Sequence, residues 1–196
     1  MGSDTRIGSR FLRAGPAYGG SCFPKDTKGL VSIGEKEKIN LSIVKSVIKS
    51  NHNRKFLLLE RIDKILGKNL KDKKIFFLGV TFKPNTDDMR DAVSLYMIPS
   101  LHKKKAFISY YDPTGEKKEF TKLKNCIFNS DINDALKHAD LVILHTEWDE
   151  FKSLDYKNLL KNKKSILYDL RNLYNVDQMK KNKIKYFSIG RSPISW

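Results

Sequence analysis

Hydrophobic residues along this chain follow two different periods, and the change falls near residue 70. Upstream, Leu30, Ile33, Leu41, Ile43, Val44, Val47, Ile48, Leu58, Leu59, Ile62, Ile65 and Leu66 recur at helical spacing. Two helices are expected there, broken around residues 34–40, with the glycine of GKN at 67–69 stopping the second. Downstream, KIFFLGV is a continuous apolar run of buried-strand type, and AFISYYD, NCIFN, DLVILHT, SILYDL and KYFSIG repeat the signal. Helical stretches near 92–104, 131–138 and 176–181 separate these runs, and Pro99 is expected to kink or shorten the first of them. Short apolar strands alternating with helices imply a parallel sheet covered on both faces. The expected fold class is therefore α/β, a helical segment over 1–69 followed by a doubly wound, Rossmann-like domain over 70–196.

Composition narrows the class without choosing a function. A chain of 196 residues, 40% hydrophobic, suits one domain or one domain plus part of another, and it can bury a real core. The two cysteines, Cys22 and Cys126, form no disulfide framework and no zinc-type pair, so no metal is expected and a reducing, cytoplasmic setting is the simplest. Cys126 falls inside a predicted strand and reads as a small buried hydrophobe. No apolar run is long enough to span a membrane, and the N-terminus lacks the apolar core of a signal peptide. The net charge of +16 comes mostly from lysines scattered as KEK, KDKK, HKKK, EKKE, KNKK and KKNK. That pattern describes a solvated surface rather than one basic stripe, so neither nucleic acid nor membrane is an expected partner.

In a doubly wound sheet, ligands bind beyond the carboxyl ends of the strands. Those ends carry Lys83, Arg90 and Arg171, which are placed to meet an anion, although no GxGxxG fingerprint or P-loop occurs. A second concentration of chemistry lies in AGPAYGGSCFPKD, residues 14–26. Its glycines permit close approach to the backbone and its proline stiffens the segment. Lys25 and Arg13 favour a thiolate at Cys22, and Asp26, four residues on, is spaced to act as a base or to position water. The competing reading is a glycine-rich turn with a buried cysteine and a helix-capping aspartate. Spacing alone leaves both open.

The segment RIGSRFLRAGPAYGGSCFPKDTKGL resembles the active-site segment of the nucleotide-sugar 6-dehydrogenases, and the form of its cysteine loop resembles the UDP-glucose branch. The resemblance continues through LGVTFKPNTDDMRDA, YDP, ADLVILHTEWDEF, YDLRNLY and YFSIGR, so it spans almost the whole chain. It implies oxidation of a sugar's primary alcohol to a carboxylate in two hydride transfers to NAD. Cys22 would form a thiohemiacetal and then a thioester, and Asp26 would assist its hydrolysis. By the same resemblance Phe11, Leu12 and Arg13 line the UDP-sugar site. Tyr18, Gly19 and Gly20 form the turn close to the sugar, and Lys25, Phe82, Lys83 and Arg171 contact the UDP-sugar. Arg90 reaches NAD, and Arg6 reaches the neighbouring subunit's sugar in a homodimer built through the central helical region. The family's dinucleotide-binding domain, and a lysine, an asparagine and a glutamate that precede the cysteine loop, have no counterpart in this sequence. The chain is thus expected to be inactive by itself. The alternatives are a UDP-sugar-binding module without dehydrogenase activity, or a relative acting on another nucleotide sugar.

Overall fold

The computed structural model of the chain describes residues 1–156 and 164–195, apart from the side chains of Arg10 and Phe11. A 3-10 turn at Ser9–Leu12 leads into a loop and then α1 (Cys22–Lys36), with Pro24 in its first turn, where a missing N–H costs nothing. After a short break α2 (Ser42–Leu66) runs to Gly67, whose φ of 87° ends it. The expected interruption and stop both fall where the sequence places them.

The alternating half follows as β1 (Lys74–Leu78), α3 (Ser94–Lys103), β2 (Phe107–Tyr111), β3 (Cys126–Phe128), α4 (Ile132–His138), β4 (Leu141–Leu144), β5 (Ile166–Asp169), α5 (Val176–Lys181) and β6 (Lys185–Ser188). Asp131 and Asn175 cap α4 and α5, each accepting two backbone N–H bonds that a helix start leaves unpaired. Helix α3 continues through Pro99. The six strands are all parallel in the order β3-β2-β1-β4-β5-β6. The chain therefore builds outward from β1 to β3 and then outward in the other direction from β4 to β6. The reversal lies between β1 and β4, and a crevice opens beyond their carboxyl ends.

The pleat sends alternate side chains to the two faces. On one face Ile75 and Phe77 join Ile108, Tyr110, Leu141 and Ile143 beneath Met97, Ile98 and Leu101 of α3. Leu58, Leu59 and Ile62 of α2 belong to this same core, although they precede residue 70. On the other face Phe76 and Leu78 pack with Val142, Leu144 and Leu167 against Leu136 of α4, Met179 of α5 and Phe151. Each such fully buried side chain contributes about 1.5–3 kcal/mol. Cys126 is half-buried in β3, where desolvation pushes its thiol up to about 12. Helices α1 and α2 leave Leu30, Ile33, Ile43, Val47 and Leu57 exposed. Among the described residues, no helix is long and apolar enough to cross a membrane.

Candidate functional site

The cysteine loop lies across the crevice, held from both sides. Asn51 of α2 accepts from the Tyr18 N–H at 2.9 Å and donates to the Tyr18 carbonyl at 3.1 Å. Arg54, one turn further along α2, donates to the carbonyls of Pro16 (2.7 Å) and Gly15 (3.1 Å). On the other side the Gly20 N–H donates to the Arg90 carbonyl at 2.8 Å. A Cβ on Gly19 would lie 2.5 Å from the Asp91 carbonyl oxygen, and one on Gly20 would lie 2.7 Å from the Phe82 ring. Gly20 also has a φ of 83°, a left-handed conformation that glycine adopts without strain. The close approach expected of these two glycines is thus made to Phe82 and Asp91 of the loop after β1.

This clamp presents Cys22 as the first residue of α1, exposed to solvent, with Sγ 3.6 Å from the Ser21 hydroxyl. Asp26 follows four residues later on the same helix face and is also exposed; the Lys25 ammonium lies 3.5 Å from its carboxylate. Asp26 sits in the second turn of α1, away from the cap position at Ser21, and Cys22 is exposed rather than buried. The cation within electrostatic reach of Cys22 is Arg90, itself paired with Asp88 at 2.8 Å. That guanidinium holds the Asp88 carboxyl below its usual range. Lys25 pairs with Asp26 and Arg13 lines a separate cleft, while Arg90, which the sequence reading assigned elsewhere, also interacts electrostatically with Cys22.

That cleft, about 450 Å³, is lined by Arg13, Glu147, Lys152, Arg171, Asn172 and Arg191. Arg171 is only 11% exposed, and two of its nitrogens bond to the protein. Its Nε donates to the His145 carbonyl at 2.8 Å and its Nη2 to the Phe82 carbonyl at 2.9 Å, while a Glu147 carboxylate oxygen lies 2.9 Å from Nε. Burial lowers its pKa, opposed by Glu147 and Asp169. Among the described residues only Nη1 lacks a protein acceptor, and it faces Gly15. Arg171 therefore stitches the cysteine loop, the β1 loop and the β4 end together, leaving one edge toward the cleft. Lys83 is exposed, its ammonium 5.3 Å from the Phe82 ring.

Buried polar groups fix the loop that carries Phe82 and Lys83. Asp112, at the end of β2, accepts from the Val80 N–H at 2.9 Å and pairs with the equally buried Lys117 at 3.6 Å. His145 is fully buried, accepting the Ser94 N–H on Nε2 at 3.1 Å and meeting the Thr146 hydroxyl through Nδ1 at 2.9 Å. Thr146 in turn donates to the Thr81 carbonyl at 2.6 Å. Desolvation and the Arg171 charge bring His145 down to about 3, so it is neutral with its proton on Nδ1.

The structure thus brings Cys22, Asp26, Lys25, Tyr18, Gly19, Gly20, Phe82, Lys83 and Arg90 to one edge of the crevice, with Arg13 and Arg171 at the adjoining cleft. Arg6 pairs with Asp4 in the N-terminal turn, at 2.8 Å, and Leu12 is half exposed nearby. The Phe11 side chain lies outside the described residues. Sequence reasoning missed Asn51 and Arg54, which are remote in the chain, and Glu147, Lys152 and Arg191. The last group had a usable signal: Glu147 and Arg191 directly follow strand ends.

The pattern of the UDP-glucose/GDP-mannose dehydrogenase family's central domain matches residues 1–53, and that of its UDP binding domain matches residues 76–176. The UDP-glucose 6-dehydrogenase of Rhizobium meliloti (strain 1021) is 40% identical over 192 residues, covering 97% of this chain and 44% of that protein. The Bacillus subtilis (strain 168) UDP-glucose 6-dehydrogenase YwqF is 38% identical over 198 residues, covering 99% of this chain and 44% of that protein. The chain therefore spans less than half the length of these curated relatives. A solved UDP-glucose dehydrogenase from Pyrobaculum islandicum superposes with a TM-score of 0.78 at 29% identity, covering 95% of this chain and 41% of that one. A strand order that reverses between β1 and β4, and a family pattern that follows it from β1 to the start of α5, lead to one assignment: this chain belongs to the UDP-glucose/GDP-mannose dehydrogenase family.

Proposed function

We propose that this chain is the cysteine-bearing and UDP-binding part of a UDP-glucose 6-dehydrogenase that converts UDP-glucose to UDP-glucuronate in the cytoplasm. The observation that carries this reading is the exposed Cys22 at the head of α1, locked by Gly19 and Gly20 onto the Phe82–Arg90 loop. In this reading Arg13, Lys83 and the free edge of Arg171 receive the diphosphate, while Phe11, Leu12 and Tyr18 line the path to the sugar. Opposite charge attracts the diphosphate to these groups, most strongly at the largely buried Arg171.

The chemistry follows from the thiol. Cys22 Sγ, as thiolate, adds to the C6 carbonyl carbon of the aldehyde; a proton goes to the carbonyl oxygen and a thiohemiacetal forms. Loss of hydride from that carbon, with the hydroxyl proton passing to solvent, leaves a thioester on Cys22. Asp26 accepts a proton from the water that adds to the thioester, and the sulfur departs as thiolate, leaving the carboxylate. Covalent capture keeps the reactive aldehyde from escaping. NAD, when bound, supplies the two-electron acceptor, and the exposed Arg90 beside Cys22 fits a contact with it. The rest of the NAD site is assigned to residues beyond these 196, so the chain by itself binds UDP-sugar without producing NADH. The exposed apolar side chains of α1 and α2 support a homodimeric assembly that also packs the rest of the enzyme against this face.

Calorimetry with UDP-glucose tests the reading. Binding by the folded chain that weakens in Lys83→Ala and Arg13→Ala variants is expected. No heat at millimolar ligand would overturn it.

A further inference from the structure

Beside Tyr18 of the cysteine loop, α1, α2 and the start of α3 line a partly open cavity of about 260 Å³. Its wall includes Tyr18, Lys28, His52, Lys55, Asp91 and Tyr96. The Lys55 ammonium is held 5.0 Å from the Tyr96 ring, and that ring is braced edge-on by Phe56, which in turn meets His52. Asn51 contributes no free amide, since both of its polar atoms are spent on Tyr18. A groove between α1 and α2 continues the cavity, sharing Lys28 and His52 with it and adding Lys45, Lys49 and Glu35. Lys45 is paired with Glu35 at 2.9 Å. Among the described residues no ion pair engages Lys28, Lys49, Lys55 or His52.

The balance of charge is clear. Lys28 and Lys55 are cations in the cavity wall that no ion pair compensates, and among the described residues Asp91 is the one carboxylate in that wall. A concave surface lined by one sign of charge focuses its field and concentrates the opposite ion. The part of this space between Lys28 and Lys55, about 260 Å³ without the adjoining groove, suits a compact anion rather than a larger organic ligand. We propose that this cavity is a second anion site, distinct from the cleft around Arg13 and Arg171, taking a small phosphate-bearing ligand between Lys28 and Lys55. The proposal does not depend on the UDP-glucose reading, because none of these residues belongs to that site's cationic set.

The position carries a consequence. One wall is Ala17 and Tyr18 of the cysteine loop, and the facing wall begins at Asp91, next to the Arg90 carbonyl that receives the Gly20 N–H. A ligand here bears on both sides of the clamp that presents Cys22.

Inorganic pyrophosphate is the probe. Isothermal calorimetry on the whole chain is expected to show a salt-sensitive site that survives in Arg13→Ala. A Lys28→Ala/Lys55→Ala double variant should weaken that site by about tenfold or more, while UDP affinity stays within about twofold. In the unmodified chain, pyrophosphate should move the NMR resonances of the His52 and Tyr96 rings, and this arm needs no variant to fold. Three outcomes overturn the proposal: no pyrophosphate binding, binding lost in Arg13→Ala but kept in the double variant, or unmoved His52 and Tyr96 signals at saturation. Loss of UDP binding alone would count against the function reading and leave this site standing.

Discussion

Two cysteines in one chain meet opposite fates, and the difference is measurable. Cys22 heads a helix in solvent beside the Arg90 charge, whereas the half-buried Cys126 thiol is pushed up to about 12. Limited alkylation near neutral pH should label Cys22 first. Cys22→Ser should abolish the fast phase, and saturating UDP-glucose should slow it; equal labelling of both cysteines in folded protein would contradict the proposed role. Arg171 gives a second test. Truncation to alanine leaves the Glu147 carboxylate without its cation and frees the His145 and Phe82 carbonyls, so Arg171→Ala should cost about 3–5 kcal/mol in denaturant unfolding. His145 gives a third. Its pKa of about 3 lies below the unfolded value of about 6.5, so the unfolded chain binds a proton that the native chain refuses. Its contribution to stability is full above about pH 6.5 and declines as pH falls toward 3, with a limiting slope of about 1.4 kcal/mol per pH unit. His145→Gln, which keeps an acceptor for the Ser94 N–H, should flatten that acid limb relative to the parent.

At the scale of elements, the cysteine loop works as a clamp because two glycines leave room for two backbones to meet. A methyl at Gly19 would press on the Asp91 carbonyl at 2.5 Å, and backbone cannot give way as a side chain can. Gly19→Ala should therefore destabilise by about 1–3 kcal/mol and make the loop at 14–21 the first site of limited proteolysis. Unchanged proteolysis would mean that the clamp is not under the constraint described. The elements themselves were legible in the sequence. Every strand lies within its predicted apolar run, and the helices fall where the period lengthens, since burial of one face imposes the 3.6 and 2.0 repeats directly. Pro99 was the exception: α3 runs through it, because burial of Met97, Ile98 and Leu101 outweighs a local helix-breaking preference.

The whole molecule exposes apolar side chains along α1 and α2 that no described residue of this chain covers. Ile43 is 80% exposed, and Leu30, Ile33, Val47 and Leu57 extend the patch along α1 and α2. If that face closes against a second copy, sedimentation should show a dimer that Ile43→Glu/Val47→Glu dissociates with far-UV circular dichroism unchanged; a monomer at high concentration would refute the homodimer.

At this scale sequence and tertiary structure divide their work. Periodicity determined the helical first third, the alternating remainder and the doubly wound class, because each is set by burial within one element at a time. At the loop 14–26 residue types and spacing left a reactive cysteine and a structural turn both open, and only the resemblance of the whole segment to a family favoured the first. The strand order, the use of α2 in the sheet's core, and the partnership of Gly20 with Phe82 and of Arg171 with His145 and Glu147 depend on which surfaces meet. Those contacts join residues far apart in the chain, and their energies exist only once the sheet has closed. Local pattern could name Arg171 as a cation at a strand end. Only the packed crevice decided that its Nε and Nη2 bond to the His145 and Phe82 carbonyls while the group lines the cleft.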